Sequence, residues 1–93
     1  MKYQNKQYKK TKNTFDMIVI CGVCKYDILN YEKLGKGNLL RAHVSRIKES
    51  NTLLLDDLKC PKCENILGHL IYIKEKDSYA YKMIRSKYNT KIW

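Results

Sequence analysis

Two pairs of cysteines divide this chain: Cys21 and Cys24 in "CGVC", and Cys60 and Cys63 in "CPKC". A CxxC turn presents two sulfurs on one side of a tight loop. Two such loops facing each other supply four thiolates in a tetrahedron, which suits Zn²⁺. With 93 residues the chain is one domain at most, and a domain of that size has little core to spare. A metal is therefore the expected staple. The 35 residues from Lys25 to Lys59 between the pairs exceed the roughly 15 to 20 of the compact four-cysteine pattern. That gap holds a hairpin or more, so the site would close the domain from both ends.

Two other uses of the cysteines have to be weighed. "CGVC" superficially resembles a redox dithiol, but no βαβ context surrounds it. Iron fits four cysteines as well as zinc does, because tetrahedral sulfur does not separate the metals. The strongly basic composition is unlike that of acidic iron-bearing electron carriers, so one Zn²⁺ per chain is expected. Four cysteine ligands leave no position for a catalytic water, which argues against a metalloenzyme. His43 and His69 are not needed as ligands. His69 is expected on a strand beside the site and His43 on the surface.

Lys and Arg number 19 against 9 Asp and Glu, a formal charge of +10. Four thiolates with one Zn²⁺ would reduce this to about +8. Compositional bias toward Lys, Asn, Ile and Tyr would raise acids along with lysines, so it does not explain the imbalance. The positive charge is also blocked. Residues 1–14 carry five lysines and no acid; residues 33–48 carry Lys33, Lys36, Arg41, Arg46 and Lys48 with none; residues 82–91 carry Lys82, Arg85, Lys87 and Lys91 with none. All three arginines fall in these blocks, and arginine is the residue suited to planar contact with phosphate or carboxylate. Lys25, Lys59 and Lys62 flank the sulfurs, where offsetting thiolate charge is the simpler role.

Residues 1–14 lack apolar periodicity and are expected to form a disordered basic arm, leaving 15–93 as a single domain. "FDMIVIC" reads as a strand delivering the first cysteine pair, and "YDILNY" as its antiparallel return. Gly35–Lys36–Gly37 has the spacing of neither a P-loop nor a dinucleotide motif, and a turn between two strands is the default. "NLLRAHVSRI" alternates as a strand would, while Leu40, Val44 and Ile47 also fit a helix capped by Asn38; the strand is favoured. "KESN" reads as a loop and "CPKCENILGHLIYI" as a knuckle leading into a strand. "SYAYKMIRSKYNTKIW" fits a strand pair or a short helix, since Tyr81, Ile84 and Tyr88 lie at helical spacing. The expected class is thus a small, metal-stapled, mainly β domain of antiparallel strands and two CxxC knuckles, with a short helix as the alternative in the C-terminal segment. "MIVIC" is shorter than a signal-peptide core and follows a lysine-rich stretch, and no run approaches a membrane span, so a reducing cytoplasm is the expected location.

Together "CGVC", "GKGNLLR", "SRI", "LKCPKC" and "KMIRSK" resemble a group of small prokaryotic zinc-ribbon proteins with rubredoxin-like knuckles, in which a Gly-basic-Gly turn and a basic strand separate the knuckles. The resemblance spans roughly Ile18 to Lys87 and implies a zinc ribbon, without implying an activity. Such knuckles often carry glycine directly after the second cysteine. Here Lys25 and Glu64 stand there.

No nucleophile with a base, carboxylate pair or nucleotide loop stands out, so an enzyme or a small-molecule binder is the least expected class. The leading expectation is a nucleic-acid-binding module whose contacts are Lys33, Lys36, Arg41, His43, Arg46, Lys82, Arg85 and Lys87, with the arm adding charge and tyrosines available for stacking. RNA is expected over DNA because no recognition helix is evident, and a ribosome-associated role is the concrete form. The alternative is an interaction adaptor docking on an acidic partner in a larger complex, since an acidic peptide and a polyphosphate attract the same surface.

Overall fold

A computed structural model describes residues 1–92. The strands are β1 (Tyr3–Gln4), β2 (Thr14–Cys21), β3 (Asp27–Leu34), β4 (Arg41–His43), β5 (Ile47–Ser50), β6 (Asp57–Lys59), β7 (Ile66–Ile73), β8 (Ser78–Met83) and β9 (Tyr88–Ile92). They form two antiparallel sheets. The first has five strands in the order β1-β5-β3-β2-β9, and the second has four in the order β4-β8-β7-β6. Single 3₁₀ turns at Val44–Arg46 and Lys74–Lys76 are the only helical elements among the described residues. No helix there is long and apolar enough to cross a membrane.

The core lies where the sheets meet. Val19, Leu29, Tyr31 and Ile47 from the first sheet pack with Ala42, Leu58, Leu67 and Tyr81 from the second, and Cys21 and Cys60 belong to the same buried cluster. β-Branched residues in "MIVI" favour the extended backbone, and β3 returns against β2 with Met17 opposite Tyr31 and Val19 opposite Leu29. Gly35 and Gly37 then take φ of +74° and +115°, left-handed backbone that glycine adopts without a Cβ penalty. This turn carries the chain from the first sheet into the second.

Three expectations are corrected. Residues 1–14 do not stand apart as a free arm: β1 pairs with β5, and Asn5 Nδ2 donates to the carbonyls of Val44 at 2.8 Å and Ile47 at 2.7 Å. Tyr8 Oη donates to Glu32 at 2.6 Å, and Thr14 Oγ1 to the same carboxylate at 3.2 Å. Glu32 is buried, and a buried carboxylate needs such donors, so the segment is held by its few non-lysine polar residues. "KESN" is not wholly a loop, because Lys48–Ser50 belong to β5, where Glu49 and Ser50 pair with β3 and Ser50 is buried. The C-terminal helix alternative fails as well. Residues 78–83 and 88–92 are strands, with Tyr81 and Met83 buried at a spacing of two. In "NLLRAHVSRI" the favoured strand forms over Arg41–His43 and gives way to one 3₁₀ turn. Leu40 is left exposed, so the helical stripe never forms.

Candidate metal centre and basic face

Each sheet contributes one hairpin whose tip is a cysteine knuckle. β2 and β3 enclose Cys21–Cys24, and β6 and β7 enclose Cys60–Cys63. Both ladders shift register just before the first cysteine, between Val19 and Ile20 and between Leu58 and Lys59. The backbone then repeats itself. Cys21 N donates to Tyr26 O at 2.9 Å and Lys25 N to Cys21 O at 3.1 Å; Cys60 N donates to Asn65 O at 2.8 Å and Glu64 N to Cys60 O at 3.0 Å. The residue after each second cysteine is left-handed, Lys25 at φ 65° and Glu64 at φ 66°.

Lys25 and Glu64 occupy the positions where zinc-ribbon knuckles often carry glycine. Left-handed backbone costs a residue with a Cβ roughly 1–2 kcal/mol, of which glycine's greater unfolded freedom returns roughly 0.5–1. Glu64 gives up little, since its ion pair with Lys59 at 3.5 Å is well exposed. Lys25→Gly and Glu64→Gly are each expected to stabilise the protein by about 0.5 kcal/mol. Thermal unfolding should show a rise of a few degrees for each.

The four sulfurs lie within 4.8 Å of one another. Cys21 Sγ is 3.4 Å from Cys63 Sγ, and Cys24 Sγ is 3.5 Å from Cys60 Sγ. A tetrahedron with Zn–S bonds of about 2.3 Å has edges of about 3.8 Å, inside the range spanned here, so the donor set fits a tetrahedral metal. Cys21 and Cys60 are buried and Cys24 and Cys63 exposed. The N–H groups of Val23 and Cys24 point at Cys21 Sγ at 3.4 and 3.5 Å, and Asn65 Nδ2 joins them at 3.4 Å. Burial alone would push the Cys21 thiol up, but these donors and Cys63 bring it down to about 6. The Asn65 N–H pulls Cys63 down, yet burial and its bonds with the other three sulfurs carry it up to about 12. Burial raises Cys60 too. Thiols so close cannot all ionise alone, and a divalent cation would displace their protons. Of the lysines beside the sulfurs, Lys59 meets Glu64 and Lys62 lies 5.1 Å from the Tyr26 ring centroid.

The C-terminal segment seals the first knuckle. Lys87 O accepts from Gly22 N at 2.9 Å and from Asn65 Nδ2 at 2.7 Å, joining both knuckles to the stretch before β9. Sequence reasoning missed Asn65 and Lys87 in this role, because a side-chain amide and a carbonyl carry no motif.

The expected basic residues divide into three places. Lys33 Nζ folds onto its own turn, donating to the carbonyls of Leu34 at 3.0 Å and Gly35 at 3.4 Å, while Lys36 stands exposed at the tip. Arg85 and Gly37 both line a cavity of about 330 Å³, and Lys87 is beside the first knuckle, its carbonyl accepting from Gly22 N. Of the other four, Arg41, His43 and Lys82 lie on the second sheet and Arg46 ends the 3₁₀ turn that follows β4. Arg41 is directly opposite Lys82, and His43 opposite Ala80, so Arg41, His43 and Lys82 share one face. His43 N donates to Tyr31 Oη at 2.9 Å, and Arg46 also acts on Tyr31. Burial, followed by the positive charges of Lys76, Arg46 and Arg41, holds the His43 ring below the usual histidine range. Lys76 was missed because it lies in the mixed stretch "KEKD", and only the β7–β8 hairpin brings it here. In the same row as Arg41 and Lys82 come His69 and Asp57, whose Nδ1 and Oδ1 are 2.7 Å apart.

No protein-family model, curated protein or solved structure matches the chain.

Proposed function

We propose that this chain is a non-enzymatic zinc-ribbon module that works in the cytoplasm and binds nucleic acid, RNA in preference to duplex DNA, on the basic face of its second sheet. One observation carries the reading. Arg41, His43 and Lys82 share that face, Arg46 and Lys76 on the two 3₁₀ turns act on His43 together with Arg41, and among the described residues none of the four permanent cations forms a salt bridge. By contrast Lys48 meets Asp16 at 3.0 Å and Lys91 meets Asp27 at 3.2 Å. Unpaired cations repel one another, and a line of phosphates relieves that repulsion while releasing counterions. Zinc would hold the face in place without meeting the ligand, consistent with four cysteine ligands and no open coordination position.

Zinc-loaded protein should bind a single-stranded RNA with an affinity that falls steeply with salt. Each phosphate contact contributes about 0.7 to the slope of log K against log[salt]. Arg41→Ala and Lys82→Ala should each flatten the slope by about that amount. Arg41→Lys should retain the slope and lose affinity wherever the guanidinium makes a bidentate contact. Salt-independent binding, or binding unchanged in the double alanine variant, would overturn the assignment of this face.

The second reading is docking on an acidic protein partner. Leu53 and Leu55, exposed on the loop beside the second knuckle, favour it, because apolar side chains serve a protein partner better than a phosphate. Crosslinking followed by identification of what is recovered separates the two: protein without nucleic acid would select this one.

A further inference from the structure

Tyr72 and Tyr79 stand opposite each other at the outer end of the β7–β8 hairpin, on the face that carries Leu70 and Tyr81 into the core. Both are about half exposed, at 51% and 53%. Their ring centroids are 5.3 Å apart at an interplanar angle of 62°, and Tyr72 Oη donates to Asp77, which braces the pair. Tyr79 is also a wall of a cavity of about 250 Å³ whose other walls include Leu54, Leu70, Tyr81, Asn5 and Gln7. No charged side chain lines it. Its volume lies below the roughly 300–1,000 Å³ of sites for drug-sized ligands, and its lining suits a small, neutral, flat body with a hydrogen-bonding edge.

The polar rim is asymmetric. Asn5 is committed, donating to Val44 O and Ile47 O and accepting from Gln7 N at 3.1 Å. The Gln7 amide, on an exposed residue, makes no side-chain hydrogen bond among the described residues, and a carboxamide can pair with a base edge. Lys6 and Lys9 bracket it on the exposed surface, where phosphates on either side of a bound base would run. The backbone there is fixed, since Lys9 N donates to Ser45 O at 2.8 Å. The larger cavity of about 900 Å³ beside the second knuckle is lined by Asp56, Asp57 and Glu64 against Lys2 and Lys59, of which Lys59 is paired with Glu64, so it offers a phosphate chain no net positive charge.

We propose that the cavity between the N-terminal segment and the second sheet takes one unpaired base of a single-stranded nucleic acid, stacked on Tyr79, with Gln7 at its edge and Lys6 and Lys9 on the adjoining phosphates. This rests on the nucleic-acid reading and narrows it, because a base paired inside a duplex cannot enter. Stacking on an aromatic side chain is the main way proteins hold unpaired bases.

The test uses full-length zinc-loaded protein and a 12-nucleotide single strand carrying one 2-aminopurine, whose fluorescence is quenched on stacking. Quenching is expected with the single strand and not with its duplex. Tyr79→Leu keeps an apolar wall but removes the ring, and should abolish the quench and weaken binding roughly 5- to 100-fold. Tyr79→Phe should retain both. Zinc content and circular dichroism verify that these half-exposed variants fold. If Tyr79→Leu binds and quenches as the parent does while Arg41→Ala still weakens binding, the base site is wrong and the basic face stands. If the parent protein binds neither strand, both readings fall.

Discussion

Chelation to completion is expected to unfold the whole domain rather than loosen two loops. Cys21 and Cys24 belong to a hairpin of the first sheet and Cys60 and Cys63 to a hairpin of the second, and beyond them the sheets are joined by core packing, connecting turns and a few hydrogen bonds such as His43 N to Tyr31 Oη and Asn65 Nδ2 to Lys87 O. Four sulfurs within 4.8 Å, stripped of their cation, leave a crowded cluster that must take up protons. A structural zinc contributes roughly 10–16 kcal/mol of apparent binding energy at neutral pH, as large as the roughly 5–15 kcal/mol by which whole domains are stable. Cys60→Ser should have the same consequence, because it removes a buried candidate ligand that also belongs to the core cluster. One zinc per chain, protons released on reloading, and loss of the strand signal in circular dichroism together would establish the staple. A protein that keeps its strand signal and cooperative melt after all metal is gone would refute it.

Gly22→Ala should produce the next largest loss. A Cβ at this position would lie 2.7 Å from Lys87 C, 2.8 Å from Ser86 O and 2.9 Å from Lys87 O. Every clashing atom is backbone, so no side chain can swing aside. Relief requires the 86–87 segment to move, which breaks the bond from Gly22 N to Lys87 O and disturbs the pairing of Tyr88 with Cys21 that begins β9. Overpacking of this kind costs roughly 1–3 kcal/mol or more. In a domain of this size the melting temperature of the zinc form should fall by about 5–20 °C. Gly35→Ala is the comparison. Nothing lies within 4 Å of its Cβ and only φ +74° opposes it, so a loss of about 1 kcal/mol is expected. Equal and small losses at both positions would mean that the C-terminal segment does not press on the knuckle.

These two experiments bear on different kinds of sequence information. The four-cysteine cluster was legible because CxxC spacing is local chemistry, and β2 was legible because β-branched residues prefer extended backbone whatever surrounds them. The "KES" of β5 was not, since its strand state comes from pairing with β3 and β1, a tertiary contribution that outweighs polar composition. The lysine-rich start misled in the same way. Five charges suggest disorder, while Asn5, Tyr8 and Thr14, which hold the segment, are individually unremarkable. Among the basic residues, Arg41 and His43 could be placed on one strand face from alternation. Their meeting with Lys82 and Lys76 depends on β8 crossing beside β4 and on the hairpin beyond it, and no charge count contains that topology.

The order β1-β5-β3-β2-β9 places the two ends of the chain at the two borders of the same sheet. Each terminus acts as a guard strip. β9 is polar and exposed over Asn89–Lys91 and lies along β2, shielding the unpaired side of "MIVIC" from other chains. Trimming the protein back to residue 87 would turn a strongly apolar strand into an open border, an invitation to self-association. The C-terminal strand thus covers an edge of β2 that would otherwise be free to pair with another chain.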